Sequence, residues 1–305
     1  MHADSPAVPD GDTFYELKEI SFKGAKKRIC MQRENGPCPL LAISNALLLR
    51  GDICLNTDSS AASSECLLNA IINHMIERCS KVEGSDPVKK NNLVQIEMAM
   101  KTVQKLQTGL CVNIQFKDVD SFEFTSESEL FDLCGLTLYH GWIPDVDDPD
   151  RDLVLSKGSY NALVEAIVTM ADSSVEPDES KAEVVQRLRR WLNNNVSQLT
   201  FEGIHLLCKK LGVGEIGVFF RNNHFSVITN QNHRLYLLIT DQGFQHYKDI
   251  VWEDLDTVYG GSNFYDSNFE LFVDRTAESS EGQQTARTLV RQQERKRRWH
   301  SCVLS

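Results

Sequence analysis

The spacing of apolar residues divides the chain into a helix-rich first part and a strand-rich later part. Apolar residues recur at helical spacing from Cys38 or Pro39 onward, which predicts a buried helix that begins there. The same criterion predicts further helices, and alternation of apolar and polar residues predicts short strands. The helices are expected over Cys66–Cys79, Leu93–Leu106, Tyr160–Met170, Ala182–Asn193 and Phe201–Leu211, and the strands over Phe14–Ile20, Arg28–Gln32 and Cys111–Phe116.

Three closely spaced apolar strands are predicted after Gly214, over Glu215–Phe220, His224–Thr229 and Arg234–Thr240. Asparagine-containing turns join them, and asparagine tolerates the positive φ of tight hairpins. The three strands should therefore form an antiparallel meander. Helices gathered early and strands gathered late predict an α+β fold with helices around a mainly antiparallel sheet.

Composition and charge narrow the class of protein. The 305 residues are 41% hydrophobic and 25% charged, which is typical of a soluble globular chain and excludes collagen, coiled coil and wholesale disorder. A net charge of −11 argues against nucleic-acid binding through a basic surface. The N-terminus is polar and lacks an apolar core, so no secretory signal is expected. The nine cysteines should therefore be mostly free thiols.

The two ends of the chain differ from its middle. Residues 1–12 are predicted to be a flexible leader, residues 13–272 a catalytic domain, and residues 273–305 a disordered basic tail. Between residues 287 and 305, six Lys or Arg residues stand against one acid. The final four residues, from Cys302, form a prenylation box of the farnesyl type, and the basic cluster is the usual second membrane signal. The alternative is an unmodified tail that binds nucleic acid or an import receptor.

Neither metals nor other cofactors are expected. The acidic run Asp145–Asp150 resembles the start of a calcium loop but lacks the required glycine and the bidentate glutamate. It is interpreted as a solvated loop. No pair of cysteines has zinc-ligand spacing, since Cys30 and Cys38 are eight apart and Cys66 and Cys79 thirteen.

The stretch from Gln32 to Leu41 carries the most informative chemistry. Cys38 is expected at the start of a buried helix, where the macrodipole favours thiolate over thiol. The peptide N–H groups of that first turn can donate to a developing oxyanion. Gln32 ends a strand and can fold back so that its amide donates beside the N–H of Cys38. The alternative is that Cys38 is only a small buried residue.

A nucleophilic thiolate needs a general base, and most of the eight histidines lie in tails, helices, turns or polar loops. His140 and His224 remain. His224 opens a strand after a tight turn and follows the cysteine in the chain order of papain-like enzymes, so it is the predicted base. Thr240 or Asp241 could orient its imidazole. Their spacing does not distinguish the two, and Thr240 is the residue predicted for this role.

Four ordered segments resemble one known family. The segments QRENGPCPLLAISNALLLRGDI, YHGW (139–142), FFRNNHFS (219–226) and LYLLITDQGF (235–244) are similar to the MINDY deubiquitinating cysteine proteases, from about Phe14 to about Phe272. The resemblance implies a variant papain-like fold, a catalytic pair of Cys38 and His224, and Gln32 in the oxyanion hole. It also implies a thiol-dependent deubiquitinase that hydrolyses isopeptide bonds in polyubiquitin of the degradative, proteasome-directing linkage, without a cofactor.

The resemblance also maps ubiquitin-contact positions onto four residues: Val112, Trp142, Tyr160 and Phe220. The competing interpretation is that these side chains are core residues. Expected partners are polyubiquitin and, through the prenylated tail, a membrane surface, but not nucleic acid. The protein is expected to be a monomer in the cytoplasm with a peripheral membrane pool. Two further alternatives are a catalytically silent, membrane-tethered ubiquitin-binding adaptor and a protease for another ubiquitin-like modifier.

Overall fold

Two β-sheets and the helices around them make up the fold. The computed structural model describes residues 13–33, 36–55, 59–81, 96, 99–171, 179–259 and 261–273. The predicted leader, all but the first residue of the predicted tail, and Cys302 lie outside these residues. The structure is a mixed arrangement of helices and mainly antiparallel strands, which confirms the predicted α+β class.

A three-stranded antiparallel sheet is formed early in the chain, in the order β2-β1-β3. Its strands are β1 (Phe14–Phe22), β2 (Ala25–Cys30) and β3 (Ala61–Ser63). Strands β1 and β2 form a hairpin whose turn, Lys23-Gly24, has positive φ at both residues. The hairpin therefore directs the chain after Cys30 toward the start of the first helix.

A six-stranded sheet is formed later, in the order β4-β5-β6-β7-β8-β9. Its strands are β4 (Leu138–Tyr139), β5 (Ile216–Arg221), β6 (His224–Gln231), β7 (Arg234–Leu238), β8 (Trp252–Asp254) and β9 (Phe264–Tyr265). Every neighbouring pair is antiparallel except β4 and β5, which are parallel. The predicted meander is confirmed as β5 to β7, with Asn222, Asn223 and Asn232 at positive φ in its turns.

Helices cover the sheets. They are α1 (Cys38–Arg50), α2 (Ser64–Ser80), α3 (Ser126–Leu133), α4 (Arg151–Lys157), α5 (Tyr160–Ala171), α6 (Glu179–Asn194) and α7 (Phe201–Lys210). Short 3₁₀ helices occupy Gln104–Gln107 and Gln242–Phe244. The predicted strand Cys111–Phe116 forms only isolated bridges, at Ile114 and Gln115. Among the described residues of the predicted helix Leu93–Leu106, residues 96 and 99–103 are helical, and the chain then enters the first 3₁₀ helix.

Helix α1 is the centre of the core. Residues 39–49 are all buried, and the helix packs against β2 of the first sheet and against β5 and β6 of the second. A helix that is enclosed on every side suits a run in which apolar residues outnumber polar ones. Its first residue is thereby held at a fixed position between the two sheets.

The acidic run Asp145–Asp150 is not simply a solvated loop, and that expectation was wrong for its last residue. Asp150 is buried, and its two carboxylate oxygens lie 2.7 Å from Nε of Arg187 and 2.8 Å from a terminal nitrogen of Arg190. A buried carboxylate requires such partners because removing it from water is costly. The run therefore connects to α6 rather than standing free.

Among the helices that the structure describes, none combines the length and apolar character needed to cross a membrane. Within the same described residues, no three His, Cys, Asp or Glu side chains are grouped so that they could hold a metal ion.

Candidate active site

Cys38 is the first residue of α1, as the sequence predicts. Pro37 precedes the helix, and among the described residues no side chain caps its first turn. No described side chain therefore competes with an incoming oxyanion for the N–H groups at this end. The thiol sulfur lies 4.0 Å from the backbone carbonyl oxygen of Asn223, in the turn between β5 and β6.

The environment of Cys38 does not favour its ionised form. Burial raises the pKa of the Cys38 thiol above its usual value, and backbone hydrogen bonds from Phe225 and from Cys38 itself only oppose that rise. The expectation that the helix start would favour a thiolate is therefore not met in this structure, because desolvation outweighs the donors. Attack by Cys38 consequently requires a base to remove the proton.

The predicted base, His224, is a neighbour of Cys38 in the fold. It is the first residue of β6, and α1 packs against this strand. The two residues that flank it, Asn223 and Phe225, are the ones whose backbone groups contact the sulfur of Cys38. The structure therefore places the backbone that carries the predicted base beside the sulfur of the predicted nucleophile.

The turn that presents His224 is fixed from outside the sheet. Asn222 and Asn223 have φ of 50° and 56°, a conformation that asparagine adopts at little cost. Nε of Arg221 donates to the Ser197 carbonyl at 2.6 Å, and the N–H of Asn222 donates to the side-chain oxygen of Gln198 at 2.9 Å. These contacts hold the start of β6 against the loop before α7.

Gln32 is fixed through its backbone. Its N–H donates to the Thr240 carbonyl at 2.5 Å, and its own carbonyl accepts from the N–H of Gln242 at 2.9 Å. Its side-chain amide donates to the Gly36 carbonyl at 3.1 Å, in the loop just before Cys38. The side chain thus folds back toward the nucleophile, as the sequence predicts; that it stabilises an oxyanion stays a prediction.

Lys18 is a buried lysine whose structural role was not predicted from the sequence. It lies on β1, is buried, and donates to the carbonyls of Phe244 and Ile250 at 3.0 and 2.6 Å. Burial lowers the pKa of Lys18 to about 8, partly opposed by the charge of Asp249. The first sheet thereby holds the loop that pairs with Gln32. The sequence does contain a sign of this role, since Lys18 occupies a position that the alternation of β1 predicts to face inward.

The residues proposed to orient His224 lie at the same junction. The Thr240 carbonyl accepts from Gln32, and one carboxylate oxygen of Asp241 accepts from the N–H of Gly243 at 2.8 Å. Asp241 therefore uses part of its hydrogen-bonding capacity to cap the 3₁₀ helix that follows. Which of the two contacts the imidazole stays a prediction.

His140, the other histidine that the sequence left open, lies in the core. Its Nδ1 accepts from the N–H of Trp142 at 3.2 Å, and its ring meets Phe122 edge to face at 5.2 Å. Burial lowers the pKa of His140 to about 4, against the opposing effect of nearby backbone carbonyls. An imidazole in this setting stays neutral and packed, which suits a core role rather than a catalytic one.

The four predicted ubiquitin-contact residues differ in how far they are buried. Trp142 is 4% exposed and stacks on Trp191, with ring centroids 5.4 Å apart. Tyr160 is half-buried and lies 5.5 Å from Trp142. Phe220 is 7% exposed and lies 4.9 Å from the ring of Phe225. Val112 is half-buried, so it and Tyr160 present more surface than the other two.

Comparison with known proteins assigns a family. Residues 13–269 match the model of the MINDY deubiquitinase family. The chain is 40% identical over 263 residues to human ubiquitin carboxyl-terminal hydrolase MINDY-1, covering 86% of this chain and 55% of that protein. It is 41% identical over 261 residues to human MINDY-2, covering 86% and 41%, and 38% identical over 266 residues to MINDY-1 of Danio rerio, covering 87% and 50%.

The chain spans about half the length of the curated relatives it matches. The matched region nevertheless includes Gln32, Cys38, His224 and Thr240, around which the two sheets meet. A family model that matches most of the chain and relatives of about 40% identity agree with one another. The chain therefore belongs to the MINDY deubiquitinase family.

Proposed function

We propose that this chain is a cysteine-type deubiquitinase with a variant papain-like fold, which hydrolyses isopeptide bonds in polyubiquitin. The observation that carries the proposal is the position of Cys38. Its sulfur lies at a helix start that no described side chain caps, against the backbone groups on either side of His224. A nucleophile, a base and N–H donors brought to one point are what acyl transfer requires.

The reaction follows from this arrangement. His224 removes the proton that burial retains on Cys38, and the sulfur attacks the carbonyl carbon that joins the C-terminal glycine of ubiquitin to a lysine amine. The N–H of Cys38 and the amide of Gln32 hold the oxyanion. The imidazolium then protonates the departing amine. Water activated by His224 hydrolyses the thioester, so no step needs a cofactor. Thr240 orients the imidazole in this scheme.

The Gln32 amide has two ways to reach the oxyanion. It donates to the Gly36 carbonyl, but a carboxamide has a second N–H and can also rotate away from that acceptor. Because the backbone of Gln32 is held at both its N–H and its carbonyl, only the side chain has to move. The fixed backbone supports the proposal that the Gln32 amide stays close to Cys38 throughout the reaction.

The test is a pair of cysteine variants. Cys38→Ala should lose all cleavage of polyubiquitin while it still binds the chains. Cys208→Ala is the matched control, because Cys208 also lies on a helix with its sulfur near a turn carbonyl, 3.8 Å from that of His233. It should cleave at the wild-type rate. Turnover of Cys38→Ala close to wild type would refute the assignment.

The other candidate functions are separated by probe chemistry. A ubiquitin carrying a C-terminal electrophile should label Cys38 covalently, whereas an adaptor would bind it and remain unlabelled. Other ubiquitin-like modifiers that carry the same electrophile should label Cys38 poorly. Preferential labelling of Cys38 by one of them would instead assign the protease to that modifier. Digestion of chains of each linkage tests the proposed preference for the degradative linkage, which rests on the family resemblance.

Membrane attachment is a separate proposal that rests on the sequence of the tail. Prenylation of Cys302 together with the basic cluster would supply the two signals that stable anchoring needs. Cys302→Ser should move the full chain from membrane to soluble fractions, and Ser301→Ala should not. An unchanged distribution of Cys302→Ser would contradict prenylation.

A further inference from the structure

Gln198 has an unusual backbone conformation for a glutamine. Its φ is 50°, and it lies in the loop 195–200 between α6 and α7. Most of the other described non-glycine residues with positive φ occupy hairpin turns between paired strands, where such angles are required. A glutamine adopts this conformation only at a cost in free energy. Strain of this kind persists where the surrounding structure fixes it, and it is common beside functional sites, so the contacts of Gln198 decide its meaning.

The side chain of Gln198 binds the turn that precedes the proposed base. Its oxygen, Oε1, accepts from the N–H of Asn222 at 2.9 Å. A peptide N–H can only donate, so the oxygen and not the nitrogen of the carboxamide faces the turn. Arg221 and His224 form the last pair of the ladder between β5 and β6, so the N–H of Asn222 lies beyond the ladder and takes its acceptor from outside the sheet. Gln198 supplies that acceptor.

The loop that carries Gln198 is fixed on both sides. The N–H of Gln198 donates to the carbonyl of Asn195, just after α6, at 2.9 Å. Leu199 and Thr200, which follow, are buried, and the Thr200 hydroxyl donates to the Ile143 carbonyl at 2.5 Å. The strained residue is therefore held by its neighbours, and its amide oxygen is presented to the turn at a fixed point.

A second contact joins the same loop to the same turn. Nε of Arg221 donates to the Ser197 carbonyl at 2.6 Å, so two neighbouring loop residues bind two neighbouring residues of the turn. The contact with Ser197 uses a backbone carbonyl, whereas the contact with Gln198 uses a side chain. Substitution of Gln198 therefore removes one anchor of the turn and leaves the other in place.

The anchored turn leads directly to the two proposed catalytic side chains. Asn223 follows Asn222, and its carbonyl oxygen lies 4.0 Å from the sulfur of Cys38. His224 is the next residue and begins β6. Only the backbone angles of the two asparagines separate the anchored N–H from His224, so a rotation within the turn moves the imidazole relative to the sulfur. A displacement of about 1 Å between reacting groups lowers a rate strongly.

The turn by itself offers little resistance to such a rotation. Asn222 and Asn223 have φ of 50° and 56°, and an asparagine also adopts the ordinary conformations with negative φ. The N–H of Asn222 belongs to the peptide that enters the turn, and its bond to Gln198 holds this peptide in place. The orientation of His224 thus depends on a contact from a different part of the chain.

We propose that Gln198 is a positioning residue for catalysis, which acts through Asn222 to hold His224 within reach of Cys38. The proposal rests on the proposed deubiquitinase function and adds to it a residue that does not touch the substrate. It gives the strained conformation of Gln198 a role, since this conformation directs the carboxamide at the turn. A purely structural brace would instead contribute to stability and leave the rate unchanged.

The experiment compares Gln198→Leu with Gln198→Glu and Gln231→Leu. Leucine removes the acceptor, whereas glutamate keeps an oxygen at the same position. Gln231 is the matched control, since it is half-buried at the far end of β6 and its amide donates to the Thr229 hydroxyl at 3.1 Å. With polyubiquitin as substrate, Gln198→Leu should lower kcat about tenfold and leave KM within about twofold of wild type. Gln198→Glu should restore most of the loss, and Gln231→Leu should have wild-type kinetics.

Alkylation of Cys38 by iodoacetamide tests the same positioning without ubiquitin, with the modified peptide quantified by mass spectrometry. Because His224 removes the proton from the sulfur in the proposed reaction, Gln198→Leu should slow alkylation at neutral pH about as much as it lowers kcat. In the His224→Ala background, Gln198→Leu should have no further effect, since it acts through the imidazole.

An unchanged kcat or an unchanged alkylation rate in Gln198→Leu would overturn the proposal, even if the melting temperature fell. Further slowing of alkylation in the His224→Ala background would do the same, because it would place the effect on Cys38 directly. Failure of the deubiquitinase assignment would appear elsewhere, as polyubiquitin cleavage that survives Cys38→Ala, and the alkylation measurement does not require cleavage.

Discussion

The side chain of Asn45 engages both backbone polar groups of Cys30. Its oxygen accepts from the Cys30 N–H at 2.7 Å, and its nitrogen donates to the Cys30 carbonyl at 2.9 Å. Asn45 lies two helical turns after Cys38 on α1, and Cys30 lies two residues before Gln32. One carboxamide therefore sets the position of the nucleophile helix relative to the segment that carries the proposed oxyanion donor.

Asn45→Leu should destabilise the protein and impair catalysis. The substitution leaves a buried N–H and a buried carbonyl of Cys30 unpaired, which costs on the order of 3 kcal/mol in free energy of unfolding. Urea denaturation measures this loss, and kcat should fall more than KM rises. Ser44→Ala is the control, since the buried Ser44 hydroxyl has no hydrogen-bond partner among the described residues. An Asn45→Leu protein as stable as Ser44→Ala would contradict this role.

His140 should make stability depend on pH in the acidic range. In the unfolded chain its pKa is the ordinary 6.5, and in the fold burial lowers it to about 4. The unfolded state therefore binds a proton first as pH falls. The free energy of unfolding should decrease between pH 6.5 and 4, by about 3 kcal/mol in total from this group, and be unaffected above that range.

Denaturation at a series of pH values tests this linkage. In His140→Asn the decrease between pH 6.5 and 4 should flatten, even where the variant is less stable overall. His205→Gln, at an exposed position on α7, should keep the wild-type slope. Parallel slopes for His140→Asn and wild type would show that another group is responsible.

Gly203→Ala should be strongly destabilising. A Cβ at this buried position on α7 would overlap the backbone carbonyl of Gly141, which cannot move as a flexible side chain can. Gly141 also accepts from the N–H of Thr200 at 3.0 Å, so the contact is fixed. Overpacking of this kind costs about 3 kcal/mol, to be measured by thermal unfolding. Lys209→Ala, exposed on the same helix, should leave the melting temperature within a degree or two.

Thr240→Val and Asp241→Asn distinguish the two residues proposed to orient His224. If the Thr240 hydroxyl holds the imidazole, Thr240→Val should lower kcat about tenfold or more with little change in KM. Asp241→Asn keeps a side-chain oxygen that can accept from Gly243, so its effect should be smaller. The pH profile of kcat reports on the imidazole directly. A larger loss in Asp241→Asn would transfer the role to Asp241.

Periodic elements and turn chemistry were predictable from the sequence. The apolar run of α1 and the asparagine turns of β5 to β7 determine where Cys38 and His224 lie, because local spacing fixes these elements. Short elements were not predictable. Helix α3 has eight residues and strand β4 two, and such elements depend on tertiary partners rather than on a repeating pattern.

The environments of individual side chains could not be predicted from the sequence either. In the sequence Asp150 is one acid in a polar run, and only the structure shows that two arginines of α6 bind it. Lys18 likewise has the appearance of an ordinary strand lysine, and only the structure shows that it donates to the loop 244–250. The raised pKa of Cys38 has the same origin, because burial depends on what packs around the helix start. These properties arise from contacts between distant parts of the chain.

The pairing of Gln32 with Thr240 and Gln242 has a consequence for how the enzyme is made. The first sheet and the loop that fixes Gln32 are far apart in the chain; Lys18 and Phe244 are separated by 226 positions. During translation the proposed nucleophile emerges early, whereas the proposed base and the partners of Gln32 emerge late. Contacts of such long range form only after the intervening chain exists. In a nascent chain Cys38 therefore lacks its neighbours on β6, and the proposed catalytic pair can assemble only after the last strands have been synthesised.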